Sequence, residues 1–555
     1  MRIVSYVSGM LFKIGLVQYN FHVGFTAANV AYVSALYDTA ANAGADLVVF
    51  PEMTLTGYPP EDLVLSSRFQ ELSIEAVQEL AALTAKGPAM LVGGLWREGE
   101  SLYNAVFLLE GGRLAHKQYK HHLPNYGVFD EKRLFTPGPL PQPVEWRDMK
   151  LGLMICEDMW FPDITAHLAS AGAEILICVN ASPYETGKSA LRQSIATARV
   201  RETGLPLVYL NLLGGQDELV FDGGSFVIAG NGELCTQLHA FMDDLAIVNF
   251  EKQNNAWKPA QGVIQPLHSE LASMYNAMLI GLRDFVNKNG YSSGVILGMS
   301  GGIDSALSAA IAVDALGANR VRLVLMPSPV TSQESIRDAT ECAKRLGVRL
   351  DTIPIAPGIE AFGTMLSPFA GKHYDIAVAN NHTRIRAGLL MALCAMENAL
   401  LLTTGNKSEM ATGYTSMYGD MCGHYSVLKD VYKTTVYRLA RWRNEQGEVI
   451  PQYILTRAPT AETLPCKTDQ DTLPPYDILD EILLRMVEQN LSIGEIVVQG
   501  YDRATVEKVS HFLFGSEYKR RQSAPGVRLS GMSFGRDRRY PLTSPWRADK
   551  MTLRD

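Results

Sequence analysis

A short glycine-rich turn between an apolar run and an alanine-rich segment constrains this chain more than any other feature. Residues 294–317 are GVILGMSGGIDSALSAAIAVDALG, which is typical of a buried strand, a tight turn and a helix. Glycines let main-chain amides approach an anion closely, and the start of the helix adds unpaired N–H groups and partial positive charge. The turn is therefore a candidate anion site, formed by Ser300, Gly301, Gly302, Ile303, Asp304 and Ser305.

The turn lacks the lysine that follows the glycines in the ordinary nucleotide phosphate loop, G-x-x-x-x-G-K-[ST]. It is also shorter, which suits a pyrophosphate that leaves ATP as one unit, with Asp304 placed to hold Mg²⁺ against the phosphates. This pattern predicts adenylyl transfer, which yields AMP and pyrophosphate, rather than transfer of the γ-phosphoryl group. The alternative is a structural strand-to-helix turn in which a serine or aspartate only caps the helix.

The sequence S-G-G-I-D-S between a strand and a helix resembles the pyrophosphate loop of the N-type ATP pyrophosphatases. Within that superfamily, T-G-N-K-S-E-M-A-T-G-Y at 404–414 resembles the NAD synthetases, and V-Y-K-T-T-V-Y matches their next element. The resemblance implies that Glu409 joins Asp304 as a second Mg²⁺ ligand. It also implies that the turn binds ATP together with Gly298, Met299, Thr404 and Lys433. Taken singly, Glu409 could equally be a solvated carboxylate at a helix start, and Lys433 a surface lysine.

The same resemblance implies a site for deamido-NAD (nicotinic acid adenine dinucleotide), whose pyridine carboxylate would be adenylated. Expected contacts are Asn381, Glu409 and Lys519, although a basic tail such as the one around Lys519 is usually only a solvated surface. The segment A-N-N-H-T-R-I-R departs from the family pattern E-N-x-Q-A-R-x-R at Asn380 and Thr383. Further residues that the family places near the site, the last two in a mobile loop, are Arg384, Arg386, Ser328 and Ser332.

The first half of the chain alternates β-branched apolar runs with helical patterns. F-K-I-G-L-V-Q, A-D-L-V-V-F, A-M-L-V-G-G-L-W, K-L-G-L-M-I and E-I-L-I-C-V-N are typical of strands buried on both faces. We therefore expect helices on both faces of the sheet. The segment F-V-I-A-G-N-G-E-L-C-T-Q predicts a hairpin that turns at Asn-Gly. The second half is another parallel unit of alternating strands and helices, so the whole chain is assigned to the α/β class.

Three residues of the first half have the chemistry of an amide-hydrolysing site. Glu52 follows one buried strand, Cys156 ends another, and Lys120 lies between them in the sequence. A cysteine thiolate can attack a carboxamide, a carboxylate can take its proton, and a cation can stabilise the oxyanion. Each residue also has a structural explanation, as a helix-start acid, a small apolar strand residue and a surface lysine.

The order of Glu52, Lys120 and Cys156 resembles the nitrilase superfamily, and L-P-N-Y-G-V-F-D-E-K-R resembles the amidase half of the glutamine-dependent NAD(+) synthetases. The resemblance implies that these three residues hydrolyse glutamine and release unprotonated ammonia. Glu131 is expected to assist Glu52 and Lys120, and Glu157 to support the oxyanion region or to hold the turn. The expected glutamine-binding residues are Tyr126, Ser182 and Lys188.

The two resemblances together cover nearly the whole chain and imply its architecture. The first half is expected to be a nitrilase-like α-β-β-α sandwich, and the second a Rossmann-like doubly wound parallel sheet of the adenine nucleotide alpha hydrolase type. Near Phe250 the periodic pattern gives way to Gln, Asn, Pro and Gly, which indicates a linker. The expected segments are a flexible extension at 1–11, the amidase domain at 12–250, the linker at 251–272 and the synthetase domain with its tail at 273–555.

The implied activity converts deamido-NAD, ATP, L-glutamine and water into NAD⁺, AMP, pyrophosphate and L-glutamate, with ammonia crossing a buried tunnel. An alternative is a nitrilase-type amidase fused to an ATP pyrophosphatase that acts on another carboxylate or carbonyl acceptor. A GMP-synthetase-like enzyme would use a differently built glutaminase, so the Glu–Lys–Cys set argues against it. A catalytically silent nucleotide sensor would have lost a chemical residue, and all of them are present: Glu52, Lys120, Cys156, Asp304 and Glu409.

The composition of the chain indicates which binding partners and which cellular compartment are to be expected. A net charge of −8 over 555 residues gives no reason to expect nucleic acid or an anionic membrane surface as a partner. The longest apolar runs are too short to span a bilayer. Seven scattered cysteines without a C-x-x-C pair argue against a zinc site or a disulfide framework and suit the cytoplasm. We therefore expect a cytoplasmic protein that binds small molecules, and the resemblance implies a homo-oligomer.

Overall fold

The computed structural model describes residues 11–372, 374–457, 469–544 and 546. The chain forms two compact units, Met1–Ser269 and Glu270–Asp555, and each is described by itself. Of the predicted flexible extension 1–11, residues 1–10 lie outside the described residues, and Leu11 begins the first strand. Within the described part of the chain, no helix is both long enough and apolar enough to cross a membrane.

The strands of the first unit come from its β-branched and leucine-rich runs. They are β1 (Leu11–Gln18), β2 (Leu47–Val49), β3 (Ala89–Glu98), β4 (Ser101–Glu110), β5 (Arg113–Tyr119), β6 (Val144–Trp146), β7 (Met149–Ile155), β8 (Ile175–Asn180), β9 (Leu207–Asn211), β10 (Leu213–Gln216), β11 (Leu219–Asp222), β12 (Phe226–Ile228), β13 (Leu234–Gln237), β14 (Asp244–Gln253) and β15 (Ala256–Pro259). The helices are α1 (Thr26–Asn42), α2 (Ser67–Leu83), α3 (Pro162–Ser170) and α4 (Lys188–Thr203).

These strands form two larger sheets, with orders β15-β14-β1-β2-β3-β4-β5 and β13-β12-β9-β8-β7-β6, and β10 pairs with β11 in a small ribbon. Parallel pairs lie at the centre of each sheet, where β1, β2 and β3 are neighbours in one and β7, β8 and β9 in the other. The predicted Asn-Gly hairpin is confirmed, because β12 pairs antiparallel with β13 around Gly232, whose φ is 87°.

The core of the first unit has three apolar layers. Between the two sheets, Leu16 and Leu91 of one sheet pack in the same cluster as Leu153 and Ile177 of the other. Helices α1 and α2 cover the outer face of the first sheet, and α3 and α4 cover the outer face of the second. The α-β-β-α sandwich is therefore confirmed. The expectation of helices on both faces of one sheet is wrong, because a second sheet covers one face and requires equally continuous apolar strands.

Part of the range 251–272, where the composition predicts a linker, has regular structure. β15 pairs antiparallel with β14 across Asn254 and Asn255, whose φ angles are 51° and 65°. Trp257 of β15 is buried, with its ring centre 4.8 Å from that of Phe12. The composition did not predict this hairpin, because asparagines are typical of loops and here form its left-handed turn. The helix that opens the second unit also begins inside this range, at Glu270.

The second unit is built around a five-stranded parallel sheet of order β18-β17-β16-β19-β20. Its strands are β16 (Val295–Gly298), β17 (Val321–Leu325), β18 (Arg349–Thr352), β19 (Leu400–Thr403) and β20 (Tyr425–Ser426). Its helices are α5 (Glu270–Lys288), α6 (Ile303–Leu316), α7 (Gln333–Leu346), α8 (Ala356–Leu366), α9 (Tyr374–Glu397), α10 (Lys407–Thr412), α11 (Lys433–Glu445), α12 (Gln452–Thr456), α13 (Tyr476–Val487), α14 (Ile493–Val498), α15 (Arg503–Gly515) and α16 (Glu517–Arg520).

Helices cover both faces of this sheet, which confirms the predicted doubly wound fold. Ile296 and Val324 pack against Leu390 of α9 on one face. Side chains alternate along a strand, so Leu297 and Leu323 point to the other face, where α6 contacts β16 and β17. The strand order reverses direction between β16 and β19. In open α/β sheets, ligands bind outside the carboxyl ends of the strands at such a point.

Candidate functional site

A strained turn at the end of β7 carries Cys156. β7 ends at Ile155, and Cys156 follows with a φ of 49°, an uncommon main-chain conformation for a residue with a side chain. The Asp158 carboxylate accepts hydrogen bonds from the main-chain N–H groups of Ile155 (3.0 Å), His121 (3.1 Å) and His122 (2.8 Å). Asp158 thereby joins the Cys156 turn to the loop that follows β5.

Glu52 lies in the turn after β2 and is almost completely buried. Its Oε1 atom accepts hydrogen bonds from Lys120 Nζ (2.8 Å) and Asn104 Nδ2 (2.7 Å), and its Oε2 atom accepts one from the main-chain N–H of Ala181 (2.7 Å). The turn packs closely on β3 at Gly93, where a Cβ would lie 2.4 Å from a main-chain nitrogen of the turn. Three segments that are remote in the sequence therefore fix the Glu52 carboxylate.

Lys120 is buried between two carboxylates. Its Nζ atom donates to Glu52 Oε1 and Glu131 Oε1, each at 2.8 Å, and the Tyr58 hydroxyl donates to the same Glu131 oxygen at 2.8 Å. Burial lowers the pKa of Lys120, but Glu131 and Glu52 outweigh burial and hold that pKa well above its usual value. The ammonium group therefore stays charged at neutral pH.

Cys156 lies close enough to these charges for them to change its protonation. Burial raises the pKa of the Cys156 thiol, the charge of Glu52 raises it further, and Lys120 lowers it. Burial also raises the pKa of Glu131 to about 7. Because the thiol holds its proton in the protein without substrate, attack on a carbonyl requires transfer of that proton to a neighbouring base. Glu52 is the neighbouring carboxylate whose charge acts most strongly on this thiol.

The residues predicted to bind glutamine lie around Cys156 and Glu52. The Tyr126 hydroxyl donates to both carboxylate oxygens of Glu157 at 3.1 Å, and Glu157 directly follows the cysteine. Burial raises the pKa of Glu157, and the positive charge of Lys188, the first residue of α4, lowers it. Ser182 is buried, and its Oγ atom accepts a hydrogen bond from Arg192 Nε at 3.1 Å. Tyr126 and Lys188 therefore lie beside Glu157.

A cavity of ≈ 590 Å³ lies in the second unit at the carboxyl ends of β16 and β19. Helix α6 begins at Ile303, and its cap residue Gly302 has no side chain that could accept from the first amides of the helix, so these amides remain available to an anion. The predicted residues that line the cavity are Gly298, Met299, Ser300, Gly301, Gly302, Ile303, Asp304, Ser305, Arg386, Thr404, Glu409, Lys433 and Lys519.

The glycine-rich turn is held by its own hydrogen bonds and by close packing. Gly301 has a φ of 83°, and a Cβ there would lie 2.4 Å from the carbonyl oxygen of Ser335. The Ser300 hydroxyl accepts a hydrogen bond from the main-chain N–H of Gly302 (3.2 Å), and the Ser305 hydroxyl accepts one from that of Ser300 (3.3 Å). Only glycine fits at position 301.

Asp304 lies beside a buried lysine and a second carboxylate. Lys433 Nζ forms an ion pair with Asp304 Oδ2 and lies 3.5 Å from Glu409 Oε1. Asn406 Nδ2 donates to Asp304 Oδ1 at 2.9 Å, and the main-chain N–H of Asn406 donates to Glu409 Oε2 at 3.2 Å. Burial raises the pKa of Glu409 to about 8, with Lys433 opposing this shift and Asp304 adding to it. One asparagine therefore orients both carboxylates.

The two predicted Mg²⁺ ligands both form ion pairs with the Lys433 ammonium. Among the residues that the structure describes, no group of three or more His, Cys, Asp or Glu side chains forms a ready-made metal centre. Asp304 and Glu409 nevertheless fit Mg²⁺, because carboxylate oxygens are its preferred ligands and both line a cavity with room for phosphate and water oxygens. This donor set suits a metal that binds together with a nucleotide.

Lys519 lines the cavity and also holds part of its wall. Its Nζ atom donates to the carbonyl oxygens of Gly413 and Thr415, each at 2.7 Å. Burial lowers the pKa of Lys519, and the nearby carboxylate of Asp420 opposes this shift. Lys519 is therefore placed both to contact a ligand and to fix the loop that follows α10.

The predicted residues on α9 are only partly in the cavity wall. The two positions that depart from the family pattern, Asn380 and Thr383, line the cavity. Asn381 is buried and does not line it. Arg386 lines the cavity and donates through Nε to the carbonyl oxygen of Met326 at 3.1 Å. Arg384 lies outside the lining set.

The two predicted loop serines before α7, Ser328 and Ser332, do not line the cavity, whereas Thr331 and Ser335 do. The Ser328 and Thr331 hydroxyl oxygens are 3.2 Å apart. Ser332 caps α7, where its Oγ atom accepts the main-chain N–H of Ser335 at 3.2 Å. These serines therefore shape the loop that carries the lining residues.

Sequence reasoning missed three residues that orient the predicted groups: Asn104, Asp158 and Asn406. Asn406 had a visible signal, since N-K-S-E matches a helix capping box, which the structure contains. Asn104 is a polar residue inside the apolar strand pattern S-L-Y-N-A-V-F-L-L, and such a position calls for a buried hydrogen-bond partner. Asp158 had no comparable signal, because its three partners lie on two separate segments.

Comparison with known protein families assigns each half separately. The profile of the NAD synthase family matches residues 274–523, and the profile of the carbon-nitrogen hydrolase family matches residues 13–258. The expected nitrilase-like and synthetase halves are thus confirmed.

Comparison with individual proteins covers nearly the full chain. The chain is 46% identical over 546 residues to the glutamine-dependent NAD(+) synthetase of Rhodobacter capsulatus, which covers 97% of this chain and 99% of that protein. It is 42% identical over 542 residues to the enzyme of that name from Acinetobacter baylyi, with coverages of 97% and 99%. The structure of glutamine-dependent NAD+ synthetase from Acinetobacter baumannii in complex with ADP matches with a TM-score of 0.78, 39% identity and coverages of 96% and 98%. The chain belongs to the family of glutamine-dependent NAD(+) synthetases.

Proposed function

We propose that this protein converts deamido-NAD, ATP, L-glutamine and water into NAD⁺, AMP, pyrophosphate and L-glutamate. The observation that carries the proposal is the presence of two assembled sites on one chain. One has the buried pair of Glu52 and Lys120 beside Cys156, and the other has Asp304 and the glycine-rich turn at a nucleotide-sized cavity. These two sets of groups suit amide hydrolysis and carboxylate activation, respectively.

In the first unit, Glu52 takes the proton of the Cys156 thiol as the sulfur attacks the carboxamide carbon of glutamine. Lys120 stabilises the oxyanion that forms. The carbon–nitrogen bond then breaks, the proton passes from Glu52 to the leaving nitrogen, and ammonia departs from a thioester. Glu52 next takes a proton from water, whose oxygen attacks the thioester carbon. The carbon–sulfur bond then breaks and Glu52 returns the proton to the sulfur, which gives glutamate and the free thiol.

We propose that Tyr126, Ser182 and Lys188 bind the glutamine substrate. Free glutamine carries an α-ammonium and an α-carboxylate, so its recognition requires both signs of charge close to the nucleophile. Lys188 supplies a positive charge and Glu157 a negative one, and the Tyr126 hydroxyl contacts Glu157 at 3.1 Å. This pairing supports a site for a zwitterionic amino acid rather than for a simple amide.

In the second unit, a carboxylate oxygen of deamido-NAD attacks the α-phosphorus of ATP, and the bond to pyrophosphate breaks. Amides of the turn 300–305 receive the pyrophosphate, Lys433 offsets its charge, and Gly298, Met299 and Thr404 complete the nucleotide wall. Mg²⁺, held by Asp304 and Glu409, would supply further positive charge at the phosphates. Ammonia then attacks the activated carbonyl carbon, AMP leaves, and loss of a proton gives the amide of NAD⁺.

We further propose that the protein is a cytoplasmic homo-oligomer. Every residue of α8 is at least partly exposed, and Phe362, Met365 and the 82% exposed Phe369 lie on one short segment. Exposed large apolar side chains are typical of a surface that another chain covers. The six cysteines of the described residues are free thiols, which suits a reducing compartment.

Light scattering should give a mass that is a multiple of 61.0 kDa, and a monomer would contradict the proposal.

Turnover of deamido-NAD with ATP, compared between glutamine and an ammonium salt, tests the proposed reaction. We expect NAD⁺, AMP and pyrophosphate in equal amounts with either nitrogen donor, and an equal amount of glutamate when glutamine is the donor. Product NAD⁺ is measured by absorbance after enzymatic reduction. Formation of AMP only when deamido-NAD is replaced by a different carboxylate or carbonyl acceptor would contradict the proposal.

Replacement of Lys519 by methionine should raise the KM for deamido-NAD about tenfold, because a charge-assisted contact to the dinucleotide phosphates is lost. The KM values for ATP and glutamine should change little. Lys508→Met is the matched control, since Lys508 is exposed on α15 and lies outside the cavity lining. An unchanged KM for deamido-NAD would mean that Lys519 only holds the loop at Gly413 and Thr415.

A further inference from the structure

Asn104 is a buried amide that the reaction described above does not use. It lies in β4 and its side chain is almost completely inaccessible. Its Nδ2 atom donates to Glu52 Oε1 at 2.7 Å, and its main-chain oxygen accepts the N–H of Lys120 at 2.9 Å. Asn104 therefore contacts both the expected base and the residue expected to stabilise the oxyanion.

The orientation of the Asn104 amide is set by Glu52, because only the NH₂ end can donate to a carboxylate. The other end, Oδ1, is buried and has no hydrogen-bond partner among the described residues. A buried acceptor without a partner destabilises the folded protein. A gain in stability is therefore a poor explanation for an asparagine at this position, and an effect on Glu52 is a better one.

The hydrogen bonds to Glu52 are distributed unequally between its two oxygens. A carboxylate oxygen has two in-plane acceptor positions. Lys120 and Asn104 fill both positions of Oε1, at 2.8 and 2.7 Å. Among the described residues, Ala181 fills one position of Oε2, at 2.7 Å. One acceptor position is thus left, and it belongs to Oε2.

We propose that Asn104 is a positioning residue that saturates Oε1 of Glu52, so that Oε2 is the atom that takes the proton from the Cys156 thiol. The proposal rests on the glutaminase half of the proposed function. The S–H bond breaks as the new S–C bond forms, the proton resides on Oε2, and it leaves with the nitrogen as ammonia. Asn104 saturates Oε1 without adding a charge to the site.

The charges around Glu52 define what the loss of Asn104 should do. The Lys120 ammonium forms an ion pair with Glu52, and Glu131 is a second carboxylate on the same ammonium. The titratable groups that interact with Glu52 are Tyr58, Lys120, Glu131, Cys156, Glu157 and Cys178. Removal of the neutral amide donor leaves all of these charges in place, so a change in the behaviour of an Asn104 variant reports the lost hydrogen bond to Oε1.

Alkylation of Cys156 by iodoacetamide, followed as a function of pH, tests the proposal directly. In Asn104→Leu, the pH range over which the alkylation rate increases should lie about one pH unit higher, because a hydrogen bond to the ionised base is lost. At a pH well below the midpoint, this shift equals an alkylation rate about tenfold slower. Mass spectrometry assigns the label to position 156, and Cys156→Ala gives the background.

Ser73→Ala is the matched control. The buried Ser73 hydroxyl bonds to the main chain of Leu95, and Leu95 is the cross-strand partner of Asn104, but Ser73 makes no hydrogen bond to Glu52. Its pH profile should match that of the unmodified protein. Asn104→Ala, which leaves space for water, serves as a second variant if Asn104→Leu does not fold. Thermal unfolding followed by near-ultraviolet circular dichroism reports whether each variant is folded.

The proposal would be overturned if a folded Asn104 variant had the same pH dependence of alkylation as the unmodified protein. It would also be overturned if Ser73→Ala showed a shift of the same size. The alkylation needs neither ATP nor a dinucleotide. Its outcome is therefore independent of the identity of the acceptor in the second unit. Failure of the glutamine-dependent turnover test would leave the alkylation profile unchanged, so the two failures are distinguishable.

Discussion

Replacement of Asp304 by alanine is expected to abolish NAD⁺ synthesis from both glutamine and ammonium. Asp304 lines the nucleotide cavity, pairs with Lys433 and accepts a hydrogen bond from Asn406. Its loss removes a proposed Mg²⁺ ligand and leaves the buried Lys433 with one carboxylate fewer. We expect turnover to fall at least about 100-fold at saturating ATP. NAD⁺ formation with each nitrogen donor is the measurement.

Two variants separate chemistry from folding. Asp304→Asn keeps the shape of the side chain without its charge and should be nearly as inactive as Asp304→Ala. Asp314→Asn changes a carboxylate on the same helix that pairs with Arg443 and Tyr275 and lies outside the cavity lining. It should lower the melting temperature yet retain turnover. Substantial synthesis by Asp304→Ala with either donor would remove Asp304 from its proposed role.

Replacement of Cys156 by alanine is expected to separate the two nitrogen sources. Glutamine-dependent synthesis should fall at least about 10³-fold, because the nucleophile of amide hydrolysis is gone. Synthesis from added ammonium should remain within about twofold, because the groups proposed for adenylation all belong to the second unit. Glutamate release and NAD⁺ formation, measured in parallel, distinguish the two effects.

Cys235→Ala is the matched control for this prediction. Cys235 is a second buried thiol of the same unit, on β13, and its Sγ atom lies 3.6 Å from the carbonyl oxygen of Glu233. Its removal should leave glutamine-dependent synthesis intact. Loss of ammonium-dependent synthesis in Cys156→Ala would argue that the two sites do not work independently.

Local patterns in the sequence predict many of the elements that present the site. The run L-G-L-M-I before Cys156 forms β7, and G-V-I-L-G before the glycine-rich turn forms β16. The spacing of S-G-G-I-D-S places Asp304 in the first turn of α6, because glycine at 301 is the residue that tolerates its main-chain angle and its close packing. Each of these features depends on a few consecutive residues, so it can be predicted from a short stretch of the sequence.

Features that join distant segments could not be predicted in this way. β1 pairs with β14 in a register that matches Leu11 with Glu251, and strand periodicity does not specify such a partner. For the same reason, continuous apolar strands cannot distinguish a covering helix from a covering sheet. Asn104 and Asp158 act across 52 and 37 residues of sequence, so their roles emerge only when the sheets are assembled.

The main-chain angle of Cys156 has an energetic consequence. A side chain in the left-handed region costs the folded chain of the order of 1 kcal/mol relative to glycine. The first unit bears this loss before any substrate arrives, and the hydrogen bonds of Asp158 keep the turn from relaxing. In the proposed hydrolysis of glutamine, attack by Cys156 would then need no rearrangement of the backbone. The lower stability of the folded first unit would be offset by a lower reorganisation energy of the reaction.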